Sequence, residues 1–499
     1  MTSVLQTLSS ANGPQDPGFL NDLVKLLWPN IRVAAGNLIK EIVEPMFAQM
    51  LPAPLDTLHF EKIDLGAIPI HLANIVVNQT DAGGGIKLDV DVEWDGECDI
   101  ELNAKMIPKI GVEHIKLRGR LEVLLCPLTN VIPLIGAAQA AFINPPYLKL
   151  TYTDAAHIAN LSFIDKNILK IVQSIMSSMA VLPNRFLIKL DPTADIFQAY
   201  QHPIGVLRLT VHSASELGQS KEGKSFLKRL VHDEPDCYVK VRVGAGPDEA
   251  APTTKAKSEW WKTKTIKDHR HPEWNETRDF VISDLDQEIT IDVNDEDTAN
   301  ADDDIGIATT TVRLLLAAKD GRVELPLTHK GEPTNGRVII SGKLFRFAPT
   351  ADTLSATSTG EGRVVGQLVM MVASARGVKG ASREETKPSV KVTWGEGYAF
   401  RTAIKTDAPG VDIENPSWDQ AFRVSLVSGG QGVVDGPPIV ITLLDGETER
   451  GSVEVPLKDV LATPGLALEK WFDVGGGSKV RAGIVLKGLS TEQFNIAIR

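Results

Sequence analysis

Alternation of apolar and polar side chains is the strongest signal in this chain, and it is concentrated in residues 86–125. Ile86, Leu88, Val90, Val92 and Trp94 alternate with Lys87, Asp89, Asp91 and Glu93. Asp95-Gly96 reads as a turn, after which Cys98, Ile100, Leu102, Ala104 and Met106 resume the pattern; Ile115, Leu117, Gly119, Leu121 and Val123 then repeat it. Period two predicts a sheet with one apolar and one wet face. The apolar face must be covered by a second sheet, by helices or by lipid.

Residues 19–51 carry apolar side chains at helical spacing, with Pro29 and Pro45 expected to kink or interrupt the helix because each removes a backbone donor. Strands are predicted at 58–65, 70–78, 147–153 and 186–190, a short helix between prolines at 127–146, and an amphipathic helix at 165–179. From Gly205 the texture changes to short strands, and one series of landmarks occurs twice. Gly205-Val206-Leu207-Arg208-Leu209 recurs as Gly366-Gln367-Leu368-Val369-Met370, and His271-Pro272-Glu273-Trp274-Asn275 as Asn415-Pro416-Ser417-Trp418-Asp419. The strand from Ile289 to Asp295 likewise recurs from Ile439 to Asp445. Landmarks repeated in one order predict two copies of a single β-sandwich. The predicted organisation is a polar leader (1–17), an α+β unit (18–203), a first sandwich (204–347), a flexible Ser/Thr/Gly-rich linker (348–363), a second sandwich (364–490) and a tail (491–499).

Length and charge narrow the classes. A chain of 499 residues exceeds one core. A net charge of −12 argues against general nucleic-acid binding, so anion binding needs a local basic patch. Three widely spaced cysteines, Cys98, Cys126 and Cys237, support neither a disulfide framework nor a zinc site. The longest apolar run, 131–143, is broken by Pro133 and Gln139 and falls short of the roughly 20 residues that span a bilayer. No signal-peptide pattern precedes residue 17. No Gly-x-Ser-x-Gly elbow, phosphate loop or catalytic constellation stands out, so no enzyme is expected.

The repeated unit, with Tyr238-Val239-Lys240-Val241, Lys262-Thr263-Lys264-Thr265-Ile266-Lys267 and Pro272-Glu273-Trp274-Asn275-Glu276, resembles a C2 domain. The first unit, with Leu26-Leu27-Trp28-Pro29 and Val181-Leu182-Pro183-Asn184-Arg185, resembles the SMP domain of extended synaptotagmins, tricalbins and plant synaptotagmins. The resemblance implies a TULIP-like, α+β lipid-binding tube that dimerises end to end, followed by two all-β C2 sandwiches that dock on the plasma membrane. The membrane hairpin usual in that family is not seen in these residues, so peripheral attachment to cytosolic membrane faces is expected.

The resemblance also assigns candidate sites. Asp295, Asp297 and Asp303 match the Asp-x-Asp-x5-Asp pattern of the third calcium loop of C2 domains, and Asp236 the first-loop ligand. The position six before Asp236 is Leu230, which leaves Glu222 or Asp233 as substitute ligands. Two carboxylates about 4 Å apart repel by roughly 4 kcal/mol at an effective dielectric of 20, so such a cluster wants a cation, and loosely arranged oxygens suit calcium. The second copy has Lys387 at the first-loop position and a shortened third loop, so calcium is expected in the first C2 domain only. Lys240 and Arg242 alternate on one strand and Lys262 and Lys264 on another, giving a basic patch for anionic headgroups such as phosphoinositides and phosphatidylserine. Phe226, Leu227 and Leu230 mix with cations in the loop beside calcium and are candidates for membrane insertion.

The apolar row of the first unit is the candidate lipid groove: Ile86, Leu88, Val90, Val92, Ile100, Leu102, Leu117, Leu121 and Val123. A diacyl lipid exposes on the order of 30 methylenes, whose exposure to water at ~0.8 kcal/mol each costs roughly 24 kcal/mol, so a carrier must supply a matching apolar surface. Alternation alone also fits a dry, protein-filled core. With the resemblance, the expected function is non-enzymatic glycerolipid transfer and tethering at contact sites between endoplasmic reticulum and plasma membrane. A peripheral C2 scaffold without lipid transfer is the alternative, and a calcium-activated lipid hydrolase a third class.

Overall fold

A computed structural model describes residues 17–50, 55–80, 84–105, 107–153, 161–218, 234–245, 260–296, 302–354, 362–380, 382–395, 397–407, 411–428 and 436–493. The chain forms two compact units, Met1–Ala199 and Tyr200–Arg499.

The first unit is built on one long hairpin of strands β3 (Ile86–Ala104) and β4 (Ile107–Leu125), each 19 residues. The expected turn at Asp95-Gly96 does not form: β3 runs straight through it, with Trp94 opposite Leu117 and Gly96 opposite Ile115. Gly96 is required there for space, since a Cβ would lie 2.3 Å from the Trp94 indole nitrogen. Strands β1 (His59–Asp64) and β2 (His71–Gln79) both pair with β3, while β5 (Ala137–Phe142) and β6 (Tyr147–Tyr152) both pair with β4. Strand β7 (Phe186–Lys189) closes the order β1-β3-β4-β5-β7. The helix expected at 127–146 is therefore replaced by a turn and β5. The helix propensity of its alanines yields to the open hydrogen-bonding edges of β4 and β7.

Helix α1 (Gly18–Met50) is continuous for 33 residues, so the prolines do not interrupt it. A proline in a helix interior costs about 3 kcal/mol, and here contacts along the helix offset that cost. Asn21 exchanges two hydrogen bonds with the Leu72 backbone, and the Trp28 indole donates to the Gly66 carbonyl at 3.0 Å. Lys40 donates to the Phe60 carbonyl, and Glu44 accepts from the Phe60 amide. Helix α2 (Leu161–Ala180) adds Ile168, Ile171 and Ile175 to the same core.

The second unit contains the repeat. In the first sandwich, strands β11 (Glu273–Ile282), β8 (Gly205–Ser215), β15 (Glu332–Ala348) and β14 (Arg322–His329) form one layer. The other layer is β10 (Trp261–Lys262), β9 (Cys237–Val243), β12 (Glu288–Asp295) and β13 (Asp303–Thr311). The second copy repeats this order as β19 (Ser417–Val427), β16 (Val364–Arg376), β23 (Ser478–Gln493), β22 (Ala467–Gly475), and as β18 (Tyr398–Arg401), β17 (Pro388–Trp394), β20 (Ile439–Asp445), β21 (Thr448–Val455). The matched landmarks fall on one geometry: Trp274 and Trp418 are buried, and the next residues, Asn275 and Asp419, take left-handed φ values of 50° and 52°, which Asn and Asp tolerate best among side-chain-bearing residues.

The segment read as a flexible linker is pinned over its described residues. Leu354 is buried in the core of the second sandwich, Thr353 bonds the Val365 carbonyl and the Leu489 amide, and Phe347 of β15 pairs with Leu489 of β23. Asp279 ties the copies together by accepting two bonds from Arg208 (2.9 and 3.0 Å) and one from the Val364 amide (2.9 Å). Composition suggested mobility, but these few polar and apolar anchors fix the ends of the segment.

Candidate functional site

In the first unit the apolar row falls into two zones. Trp94, Ile100, Leu102, Ile110 and Val112 are buried under α1 and α2, with Trp28 edge-on to Trp94 at 5.9 Å. Val90 and Val92 are buried as well. Toward the other end, Ile86, Leu88, Leu121 and Val123 are only half-buried, although Leu88 faces Val123 and Val90 faces Leu121 across the hairpin, whereas Leu117, half-buried opposite Trp94, packs against the first zone. The outward neighbours Glu122 and Leu124 are buried at 3% and 1% exposure. At this end the inner Leu121 and Val123 are less covered than the outward Glu122 and Leu124. Phe142, absent from the sequence reading, also belongs to this face: it pairs with Leu121, and a Cβ at Gly119 would lie 2.8 Å from its ring.

The opposite face is not uniformly wet. Glu122 accepts from Arg185 at 2.5 Å and pairs with Lys87 at 3.1 Å, and the Glu122 and Arg185 side chains are 4% and 6% exposed. Alternation marks which face a residue joins, but distant segments decide whether that face is covered; here residues 181–185 cover it. Val181 and Leu182 are fully buried, Asn184 donates to the Ser177 carbonyl at the end of α2, and Arg185 reaches Glu122. Burial alone raises the Glu122 pKa, yet Arg185 and Lys87 bring it below the ordinary carboxylate value. A lowered folded-state pKa contributes stability above the unfolded value that is lost as pH falls through the folded one. Glu122→Gln is expected to cost roughly 3–5 kcal/mol at pH 7 by leaving buried cations without their carboxylate. In thermal melts that deficit should close as pH drops below about 4.3; a deficit independent of pH would contradict the assignment.

In the first sandwich, Asp236 and Asp295 meet at one end: the Asp236 amide donates to Asp295 Oδ1 at 2.8 Å, and Asp236 Oδ1 accepts from the Asp268 amide at 2.9 Å. Asp303 stands opposite Asp295 on β13. Burial, then Asp295 and Asp236, push the Cys237 thiol pKa upward, a sign of the local negative field. Asp297 and the insertion candidates Phe226, Leu227 and Leu230 lie outside the described residues. Among the described residues no three acidic, His or Cys side chains are gathered as a metal site.

The basic residues sit as their spacing predicts, with one difference. Lys240 and Lys262 are direct cross-strand partners, whereas Lys264 lies beyond the two-residue β10 and is exposed. Tyr238, missed in the sequence, is their platform: Lys262 Nζ lies 3.6 Å and Lys240 Nζ 5.2 Å from its ring centroid. Arg242 similarly stacks on Trp260 at 4.8 Å. Lys262 also pairs with Glu296 at 2.6 Å, which reduces the net charge of the patch.

The equivalent loop of the second sandwich is closed. Asp445 pairs with Thr448 across a two-residue turn at Gly446-Glu447. Asp445 accepts from the Lys387 amide at 2.7 Å and is paired with Arg450. Burial raises its pKa, but these two partners hold it below the usual value. An internal guanidinium thus faces the aspartate equivalent to Asp295.

Comparison with known proteins accords with this anatomy. Residues 15–191 match the model of the synaptotagmin-like mitochondrial-lipid-binding domain, and residues 205–327 and 366–474 match the C2 domain. Extended synaptotagmin-2-B of Xenopus laevis is 25% identical over 512 residues, covering 95% of this chain and 55% of that protein. Extended synaptotagmin-2 of Mus musculus is 25% identical over 492 residues, with the same two coverages. The solved structure of the SMP domain and two C2 domains of extended synaptotagmin 2 superposes with a TM-score of 0.63 at 23% identity, covering 96% of this chain and all of that one, and shows the same fold. Fold and matches together define an SMP lipid-binding domain of TULIP-like, α+β type followed by two all-β C2 sandwiches. The order of an SMP domain followed by two C2 domains is the one this chain shares with the extended synaptotagmins it resembles. It spans about half the length of the curated relatives it matches. Among the described residues no helix is long and apolar enough to cross a membrane.

Proposed function

We propose that this chain is a non-enzymatic carrier of glycerophospholipid and a tether at contact sites between endoplasmic reticulum and plasma membrane. The observation that carries this reading is that Ile86, Leu88, Leu121 and Val123 of the inner row are only half-buried beside the buried outward neighbours Asp89, Glu122 and Leu124. A protein-filled core would bury the inner row at least as deeply as the outer one. In this reading acyl chains lie along that row, and the SMP domain works as an end-to-end homodimer. The first C2 domain docks on membranes rich in phosphoinositides and phosphatidylserine through Lys240, Arg242, Lys262 and Lys264, with calcium held by Asp236, Asp295, Asp297 and Asp303. The second C2 domain adds calcium-independent contacts, supported by the Asp445–Arg450 pair.

Native mass spectrometry of the purified chain tests the central point. Lipid adducts of phospholipid mass are expected at about one or two per chain. A lipid-free chain that still clusters vesicles would overturn lipid carriage and leave a bridging scaffold.

A further inference from the structure

We infer that the β4–β5 turn, residues 128–134, is a bilayer-insertion tip at the mouth of the apolar row; the role in transfer rests on the carrier reading above, and insertion itself does not. Leu128, Val131, Ile132 and Leu134 are exposed by 44%, 68%, 88% and 55%. They cluster on one tight hairpin end, closed by a bridge between Leu128 and Ile135. No charged residue occurs anywhere in residues 123–148, so inserting this tip buries no charge in hydrocarbon.

The backbone is also suited to an apolar phase, where polar groups must find partners within the protein. The Thr129 amide donates to the Leu134 carbonyl at 2.8 Å, and the Val131 carbonyl accepts from the Leu134 amide and from Thr129 Oγ1. The Gly136 amide donates to the Pro127 carbonyl at 2.9 Å, and Pro127 and Pro133 have no amide hydrogen to satisfy. Leu134 holds a left-handed φ of 72°, strained for a large side chain, within this bonded turn. The turn is a preformed wedge.

A bilayer is the occupant these features favour over a second copy of the chain. A stable protein interface takes about 800 Å² from each partner and carries a polar rim. A single convex turn with four apolar side chains is too small for that, and the neighbouring charges Lys189 and Asp191 sit at its base beside Ala137 and Gly136 and not on the tip. Its place in the sheet gives insertion a purpose: the turn leaves β4 immediately after Leu125, which pairs with Ile86, and the next rungs inward are Leu88–Val123 and Val90–Leu121. A tip sunk into one leaflet brings the half-exposed row to the acyl-chain region, so a tail can move from bilayer to sheet without crossing water.

The test uses the full chain carrying Cys98→Ser and Ile132→Cys, labelled with an environment-sensitive fluorophore and mixed with phosphatidylcholine–phosphatidylserine vesicles. A blue shift and quenching by acyl-chain-brominated lipid are expected at position 132 and not at Lys149→Cys, an exposed site on β6 of the same unit. A label at 132 that stays in water overturns the inference. Val131→Asp with Ile132→Asp should slow lipid transfer about tenfold while co-purified lipid is retained; should that pair fail to fold, Ile132→Ser gives the same readout. Unchanged transfer overturns the role in exchange, and conversion of a dimer to a monomer by these changes would make the turn a contact between copies and overturn it too. A wild-type chain without lipid defeats the carrier reading, while the label at 132 still decides insertion.

Discussion

Leu121→Trp is expected to reduce lipid transfer about tenfold with little change in melting temperature. Leu121 lies in the half-exposed stretch of the inner row, opposite Val90 and beside Phe142. An indole there occupies space that an acyl chain would take. In a close-packed core the same enlargement costs roughly 1–3 kcal/mol through displaced neighbours, so stability and transfer together distinguish the two interiors. A large loss of stability with unaltered transfer would count for a solid core. The measurement is dequenching of fluorescent phospholipid between vesicle populations, alongside a thermal melt.

Asp295→Asn combined with Asp297→Asn is expected to abolish calcium-stimulated binding to acidic vesicles, with calcium affinity lowered by about a hundredfold or more, because ligand charge sets affinity in such sites. Asp295 already touches the Asp236 amide, so the isosteric amide keeps the loop's shape while removing charge. Calcium-free binding through Lys240, Arg242, Lys262 and Lys264 should remain, and it should weaken with salt. Co-sedimentation across a calcium series checks both statements; an unaltered calcium response would refute the site.

Much of the architecture is legible locally. Strand periodicity in 86–125 identified the apolar face, and the repeated Trp-Asn and Trp-Asp landmarks identified a duplicated sandwich, because both signals depend on neighbours in sequence. The errors share a cause. Asp95-Gly96 looks like a turn, but Gly96 is there to leave room for the Trp94 indole. Alanine-rich 137–142 looks helical, but two strand edges recruit it. Pro29 looks like an interruption, but contacts such as the Trp28 bond to Gly66 hold the helix across it.

The sites divide in the same way. Lys240 and Lys262 follow from strand alternation, whereas Tyr238 beneath them required the register of β9 against β10. Lys387 signalled a second C2 domain unlike the first, but the partner of Asp445 is Arg450, brought back by a tight hairpin.

By itself the sequence determined the element types outside 95–96 and 127–146, the duplication and which side chains share a face, since helix and strand periods are properties of the local backbone. Only the tertiary structure decided which faces are covered. Glu122 is buried because Arg185, 63 residues away, neutralises it, and Leu121 is half open because the described residues that pack on its face leave part of it uncovered. Burial is settled by segments remote in sequence.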